Sequence, residues 1–102
     1  MSIQQKNDKK YQIILPTSGT GKREISNLLK RRKPQLLKAI KKLETDPTNY
    51  RIKGIEKLSD NRLGQYTIRV SKGDRLFYDV DMKNNKVFLL RAGKHDLYKL
   101  LK

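Results

Sequence analysis

Apolar residues recur along this chain in three successive patterns, each typical of a different kind of element. The segment Tyr11-Gln-Ile-Ile-Leu-Pro16 is rich in strand-forming residues and stops at a proline, so it predicts a first strand over 11–15. From about residue 22, the apolar positions recur at helical spacing. Beyond residue 64 they alternate with polar positions, which is typical of strands with one buried face.

The helical region divides into two helices. One set of apolar residues precedes Pro34 and another follows it: Ile25, Leu28 and Leu29, then Leu36, Leu37, Ile40 and Leu43. Proline fits the first turn of a helix and disrupts its interior, so we expect one helix to end near Arg32 and the next to begin there. The result is an αα-hairpin whose second helix is ended by Pro47. Residues 46–63 then form a connector rich in turn-forming residues.

The C-terminal part of the chain predicts a three-stranded antiparallel meander. Its strands lie near 64–71, 74–82 and 86–92, and a short final helix follows over 94–101. The fold class is therefore α+β. We expect a flexible polar arm over 1–10 and a single domain over 11–102.

Alternation along the strands assigns side chains to two faces of the sheet. Six residues should pack under the helical hairpin: Tyr66, Ile68, Val70, Leu76, Tyr78 and Val80. Arg69 and Arg75 point the other way, and Thr67, Phe77 and Asp79 share that side. We expect this second face to be open, with the two arginines converging near His95 at the end of the last strand.

The charge balance indicates a protein that binds polyanions. The chain has 102 residues, with 25 Lys plus Arg against 10 Asp plus Glu and a formal net charge of +15. Each phosphate that such a surface neutralises releases condensed counterions, so nucleic acid is the favoured partner. A ribosomal protein or a binder of anionic membranes would have the same balance.

Composition also excludes several kinds of site. There are no cysteines and one histidine, so a disulfide framework, a thiolate nucleophile and a histidine-rich zinc site are all excluded. No apolar run approaches the length of a membrane span, and the first ten residues lack the apolar middle of a signal peptide. We therefore expect a cytoplasmic protein with no membrane partner, no metal and no small-molecule cofactor.

The segment Ser18-Gly-Thr-Gly-Lys22 lies between a strand and a helix and is similar to a phosphate-binding P-loop. The full motif requires a glycine where Pro16 stands and a serine or threonine where Arg23 stands. A loop with a helix cap is the sufficient interpretation.

Cleaving RNA without a metal requires a base, an acid and cations that stabilise the phosphate. His95 is the only side chain whose ordinary pKa lies near neutrality, although a lone histidine at a strand end is also typical of a surface residue. Arg69 and Arg75 offer planar charged forks for phosphate oxygens, or salt bridges to nearby aspartates. Tyr98 could stack on a splayed base or belong to the core.

Other basic residues are candidates for binding rather than chemistry. We expect four of them to contact the RNA backbone: Arg51, Lys53, Arg62 and Lys94. The basic residues of the helices, Lys38 and Lys42 among them, are better suited to form a docking surface than to take part in catalysis.

Four segments of the chain resemble bacterial RelE-type toxins. They are Asp46-Pro-Thr-Asn-Tyr50, Leu58-Ser-Asp-Asn-Arg-Leu-Gly-Gln-Tyr-Thr-Ile-Arg-Val70, Arg75-Leu-Phe-Tyr-Asp-Val80 and Leu90-Arg-Ala-Gly-Lys-His-Asp-Leu-Tyr98. On these segments the chain resembles the RelE/ParE superfamily of type II toxin–antitoxin systems, over essentially residues 11–101. The last segment is similar to the YafQ branch, in which a histidine at that place serves catalysis.

The resemblance implies a RelE-like (microbial-RNase-like) fold and an endonuclease that cleaves mRNA on the ribosome. It also implies a cognate antitoxin, which we expect to be acidic and partly disordered. By position, Arg69 matches a basic residue of a strand and Arg75 matches the arginine that contacts the phosphate. His95 matches the catalytic position after the last strand, and Tyr98 matches an aromatic residue of the C-terminal segment.

The chain also departs from the RelE pattern. Thr67 stands where RelE has a second lysine, so catalytic competence is in question. The superfamily includes ParE-like toxins that bind gyrase and share the fold without the ribonuclease residues. A ParE-like gyrase inhibitor and a non-catalytic basic module that binds RNA or the ribosome are therefore the alternatives.

Overall fold

The computed structural model describes residues 10–59 and 63–94. In this part of the chain, two helices and five strands follow one another in the order β1, α1, α2, β2, β3, β4, β5. They are β1 (Gln12–Ile14), α1 (Gly19–Arg31), α2 (Lys33–Thr45), β2 (Ile55–Lys57), β3 (Tyr66–Arg69), β4 (Asp74–Asp81) and β5 (Lys86–Lys94). The α+β class, the first strand, the αα-hairpin and the meander are confirmed.

The strands form one sheet in the order β1-β5-β4-β3-β2. β1 pairs parallel with β5, and all other pairs are antiparallel. The prediction of a simple connector over 46–63 missed β2, which forms the edge of the sheet beside β3. Its three residues are too few to show the alternation by which strands are recognised.

Local sequence explains how the helices begin and end. Ser18 caps α1, because its hydroxyl accepts a hydrogen bond of 3.0 Å from the amide of Gly21. Pro34 lies in the first turn of α2, where its missing N–H costs nothing, so the two helices are separated only at Arg32. The P-loop-like segment is therefore a capped helix start.

The hydrophobic core lies between the helical hairpin and one face of the sheet. It contains Leu28, Leu36 and Leu43 from the helices and Ile68, Leu76 and Tyr78 from the strands. The hydroxyl of Tyr78 donates a hydrogen bond of 2.7 Å to the backbone oxygen of Pro47, so the largest core residue has its polar atom satisfied. The predicted assignment of this face is confirmed.

The second face of the sheet differs from the expectation. Thr67, Arg75 and Phe77 are buried, with exposed fractions of 2%, 5% and 0%. This face is therefore not open at its centre, and the prediction of an open face is wrong there. Alternation fixes which residues share a face, but it carries no information on whether that face is covered.

The last described residue is Lys94. It ends β5 and does not begin a helix as predicted. The remainder of the predicted helix, 95–101, lies outside the described residues. The division into an arm over 1–10 and one domain over 11–102 stays a prediction. Within the described ranges, neither helix is long and apolar enough to cross a membrane.

Candidate RNA-cleavage site

Arg69 and Arg75 are direct cross-strand partners of β3 and β4. Directly opposite residues project to the same side of a sheet with Cβ atoms about 5 Å apart. The two arginines therefore lie on the same side of the sheet, as predicted, and their predicted convergence near His95 stays a prediction because His95 lies outside the described residues. Their register follows from the tight connection, in which the amide of Val70 donates to the backbone oxygen of Asp74 at 2.8 Å.

The two arginines differ in their surroundings. Arg69 is exposed, whereas Arg75 is buried. The Nη2 atom of Arg75 lies 3.6 Å from Oε2 of Glu56 on β2, whose side chain is 60% exposed. The Nη1 atom of Arg75 is closed to solvent and has no hydrogen-bond partner among residues 10–59 and 63–94. Within these ranges the buried guanidinium is thus only partly compensated by protein groups.

Asp74 fixes the start of β4 and hence the position of Arg75 beside it. Its carboxylate accepts a hydrogen bond of 2.6 Å from the hydroxyl of Ser71 and one of 3.3 Å from Arg31. Arg32 lies 3.6 Å away. Burial alone would raise the pKa of Asp74, but the hydrogen bonds from Ser71 and Arg31 and the charge of Lys94 outweigh it and lower this pKa.

The remaining predicted residues fall into two groups. Lys94 is exposed and is the cross-strand partner of Asp74. Because Asp74 directly precedes Arg75, Lys94 lies one position along the strands from the arginine pair. Arg51 and Lys53 are exposed in the connection before β2. Three predicted site residues, Arg62, His95 and Tyr98, lie outside the described residues, and their roles stay predictions.

Two residues of this region escaped the sequence analysis. Glu56 was missed because β2 was missed. Asp74 was predicted as the first residue of a strand, and its spacing from Ser71 is the one local signal of their hydrogen bond. Neither residue carries a signal that reveals its contacts with Arg75 or with the distant Arg31.

A further anchor holds α1 against β5. Glu24 accepts hydrogen bonds of 2.7 and 2.9 Å from the guanidinium of Arg91 and one of 3.2 Å from the amide of Ala92. Leu90, the neighbour of Arg91, is the extra residue of a β-bulge, because Tyr78 pairs with Leu89 and Phe77 pairs with Arg91. Burial alone would raise the pKa of Glu24, but these hydrogen bonds lower it.

This arrangement of helices and strands is shared with solved toxin structures. The archaeal RelE–RelB complex from Pyrococcus horikoshii contains a chain similar to this one, with a TM-score of 0.64 and 20% sequence identity. The match covers 86% of this chain and 98% of that chain. The chain has the RelE toxin fold.

A second solved structure has the same RelE fold. It is the toxin–antitoxin complex RelBE2 from Mycobacterium tuberculosis, which matches with a TM-score of 0.52 and 21% identity over 84% of this chain and 99% of that chain. At these identities the likeness concerns the fold. No family model and no curated protein matches the sequence.

Proposed function

We propose that this chain is the toxin of a bacterial type II toxin–antitoxin system. It acts as a metal-independent endoribonuclease that cleaves mRNA on the ribosome in the cytoplasm and thereby inhibits translation. The RelE fold and the net charge of +15 support this proposal. The observation that carries it is the cross-strand pair of Arg69 and Arg75, in which Nη1 of Arg75 has no partner in the part of the chain that the structure describes.

Two like charges directly opposite each other destabilise a sheet. A buried guanidinium with an unpaired nitrogen adds a further cost, on the order of 1–3 kcal/mol. Such costs persist where a ligand uses the groups concerned, since strain and unpaired charge concentrate at functional sites. A phosphodiester supplies the missing compensation, because its anionic oxygens accept from the planar forks of arginine.

Access to Arg75 requires a local rearrangement, because Nη1 is closed to solvent in this structure. Arg69 is exposed on the same side and would meet the phosphate first. We therefore propose that Arg69 receives the RNA and that Arg75 engages the scissile phosphate once this face opens. The order of these contacts follows from the difference in exposure between the two arginines.

The proposed reaction is an internal attack by the ribose 2′-oxygen on the adjacent phosphorus. The bond from the 2′-oxygen to phosphorus forms, and the bond from phosphorus to the 5′-oxygen breaks. His95 would move a proton as general acid or base, and the two arginines would stabilise the charge on the phosphate. Tyr98 would position a nucleotide. The 2′-hydroxyl loses its proton and the leaving 5′-oxygen gains one, so the upstream product carries a 2′,3′-cyclic phosphate, which water can open to a 3′-phosphate.

We also propose a neutralising partner, a cognate antitoxin. The two similar structures are complexes of a toxin with an antitoxin, which supports this part of the proposal. The basic surface of this chain favours an acidic and partly disordered segment that orders on binding.

The proposal is tested by induced expression in a bacterial host, followed by primer extension on an abundant mRNA. We expect growth arrest and new cuts within translated codons. Both should be lost in His95→Ala and in Arg75→Met. Arg23→Gln is the matched control, because it removes one arginine charge from an exposed position of α1.

Two results would contradict the proposal. Growth arrest without cuts, equal in the wild type and His95→Ala, would indicate a toxin that binds gyrase or another target. No arrest in any variant would indicate a basic module that binds RNA or the ribosome without cleaving.

A further inference from the structure

A groove lies between α2 and the chain around Gly54, at the end of β3. Its volume is about 260 Å³. The residues that line it include two small apolar ones, Ala39 and Val70, and four basic ones, Lys38, Lys42, Lys53 and Arg69. We call it the α2 groove.

Local geometry explains why this groove exists. Gln35, Lys38, Ala39 and Lys42 follow the helical spacing of three and four residues, so they form one stripe of α2. Gly54 has a φ of +99° and lies so close to β3 that a Cβ atom would be 3.3 Å from that of Arg69. The chain at Gly54 therefore lies close to β3 where it lines the groove.

The electrostatics of the groove are one-sided. Four cations line it, and no carboxylate of the described residues does so. None of the four forms an ion pair with a carboxylate in the parts of the chain that the structure describes. Clustered like charges without counterions create a positive potential that concentrates anions.

The length of the groove favours a chain of phosphates over a single anion. From Gln35 to Lys42 the helix rises about 10 Å, at roughly 1.5 Å per residue. This length exceeds one phosphate group, so successive phosphates of one strand can lie along the groove. Flexible lysines beside small apolar residues suit a backbone that is held by charge and not read by sequence.

The groove is connected to the arginine pair through Arg69. This residue lines the groove and is also the cross-strand partner of Arg75. We infer that the α2 groove binds the sugar–phosphate backbone of single-stranded RNA outside the scissile bond. The inference rests on the proposed function for the source of the RNA, which is the strand cut beside Arg75. Backbone binding itself is measured without cleavage.

The test uses a short single strand with 2′-O-methyl sugars, which cannot be cut by internal attack. Its affinity for the full chain is measured by fluorescence anisotropy between about 50 and 200 mM salt. The groove variant combines Lys38→Gln, Lys42→Gln and Lys53→Gln. The control combines Lys22→Gln, Lys72→Gln and Lys83→Gln, which are exposed lysines elsewhere with the same total charge change.

We expect the groove variant to lower the salt dependence selectively. Each lost phosphate contact on a single strand reduces the slope of log affinity against log salt by about 0.7, so three reduce it by about 2. When salt rises over that fourfold range, both proteins should lose affinity. The factor by which the wild type weakens should be about 20 times the factor for the variant. The double variant Lys38→Gln/Lys42→Gln, checked for folding by circular dichroism, should show about two thirds of the change in slope.

Three results would overturn the inference. The groove and control variants could change the slope equally, or the wild type could fail to bind the strand. Alternatively, only the affinity for polyglutamate could depend on the groove lysines, which would assign the groove to an acidic protein segment. Failure of the proposed function is separate: the groove inference stands if the slope changes as expected while primer extension shows no cuts.

Discussion

Replacing Arg75 by methionine should stabilise the fold while abolishing cleavage. Methionine has a similar unbranched stem and no charge. The substitution removes Nη1, whose unpaired burial costs on the order of 1–3 kcal/mol. It also removes the pair with Glu56, which contributes at most about 1 kcal/mol because the glutamate side chain is mostly exposed. Relief of the opposing charge on Arg69 adds a few tenths of a kcal/mol.

The net expectation is that Arg75→Met is more stable by about 1 kcal/mol. Urea denaturation measures this, and the midpoint should rise by roughly 0.3–1 M with an unchanged slope. The melting temperature should rise by about 4–8 °C. Such a gain would mean that Arg75 is retained for function at a cost in stability.

Two further variants separate the charge of Arg75 from its size. Arg75→Lys keeps a buried charge without the planar fork and should be less stable than Arg75→Met. Glu56→Gln leaves the guanidinium with less compensation and should lower the free energy of unfolding of the wild type but not that of Arg75→Met. The reasoning would be refuted if Arg75→Met lost 1 kcal/mol or more, because Arg75 would then be a structural residue.

Three further predictions concern the scaffold. Glu24→Gln should cost about 1–3 kcal/mol at neutral pH, because hydrogen bonds to charged groups are the strong ones. The pKa of Glu24 is lowered in the folded state, so this difference should be full above about pH 5 and should vanish as the pH falls through the folded pKa, as urea titrations at several pH values would show. Gly21→Ala should lower the melting temperature by several degrees, because a Cβ would overlap the backbone oxygen of Leu90; an unchanged melting temperature would show that α1 can shift. Asp74→Asn should cost about 1–3 kcal/mol and reduce cleavage by displacing the start of β4, whereas full activity would show that Arg75 is positioned without it.

Periodicity was sufficient to predict the elements with strong local signals. Pro34 divided the helices at the right place, and the turn between Ser71 and Asp74 fixed the register that pairs Arg69 with Arg75. Both features depend on a few neighbouring residues, so sequence alone contains the information. The shared side of the two arginines is the part of the candidate site that could be predicted.

The remaining features depend on contacts between distant residues. β2 is three residues long, and it forms a strand because it pairs with β3. Burial of Arg75 depends on what lies over its face of the sheet, and the ion pair with Glu56 joins two strands. The α2 groove likewise brings Lys53 opposite a helix that ends eight residues earlier. Spacing shows that Lys38 and Lys42 share a face, but it does not show what that face meets.

The central claim is tested most directly by the chemistry of the cut ends. Purified wild-type protein is added to ribosomes that translate a labelled mRNA, and the termini of the fragments are identified. We predict cuts within codons that leave a 2′,3′-cyclic phosphate or a 3′-phosphate upstream and a 5′-hydroxyl downstream, with none from Arg75→Met. Fragments with a 3′-hydroxyl and a 5′-phosphate, or intact mRNA beside stalled ribosomes, would contradict a ribonuclease that works by attack of the 2′-oxygen.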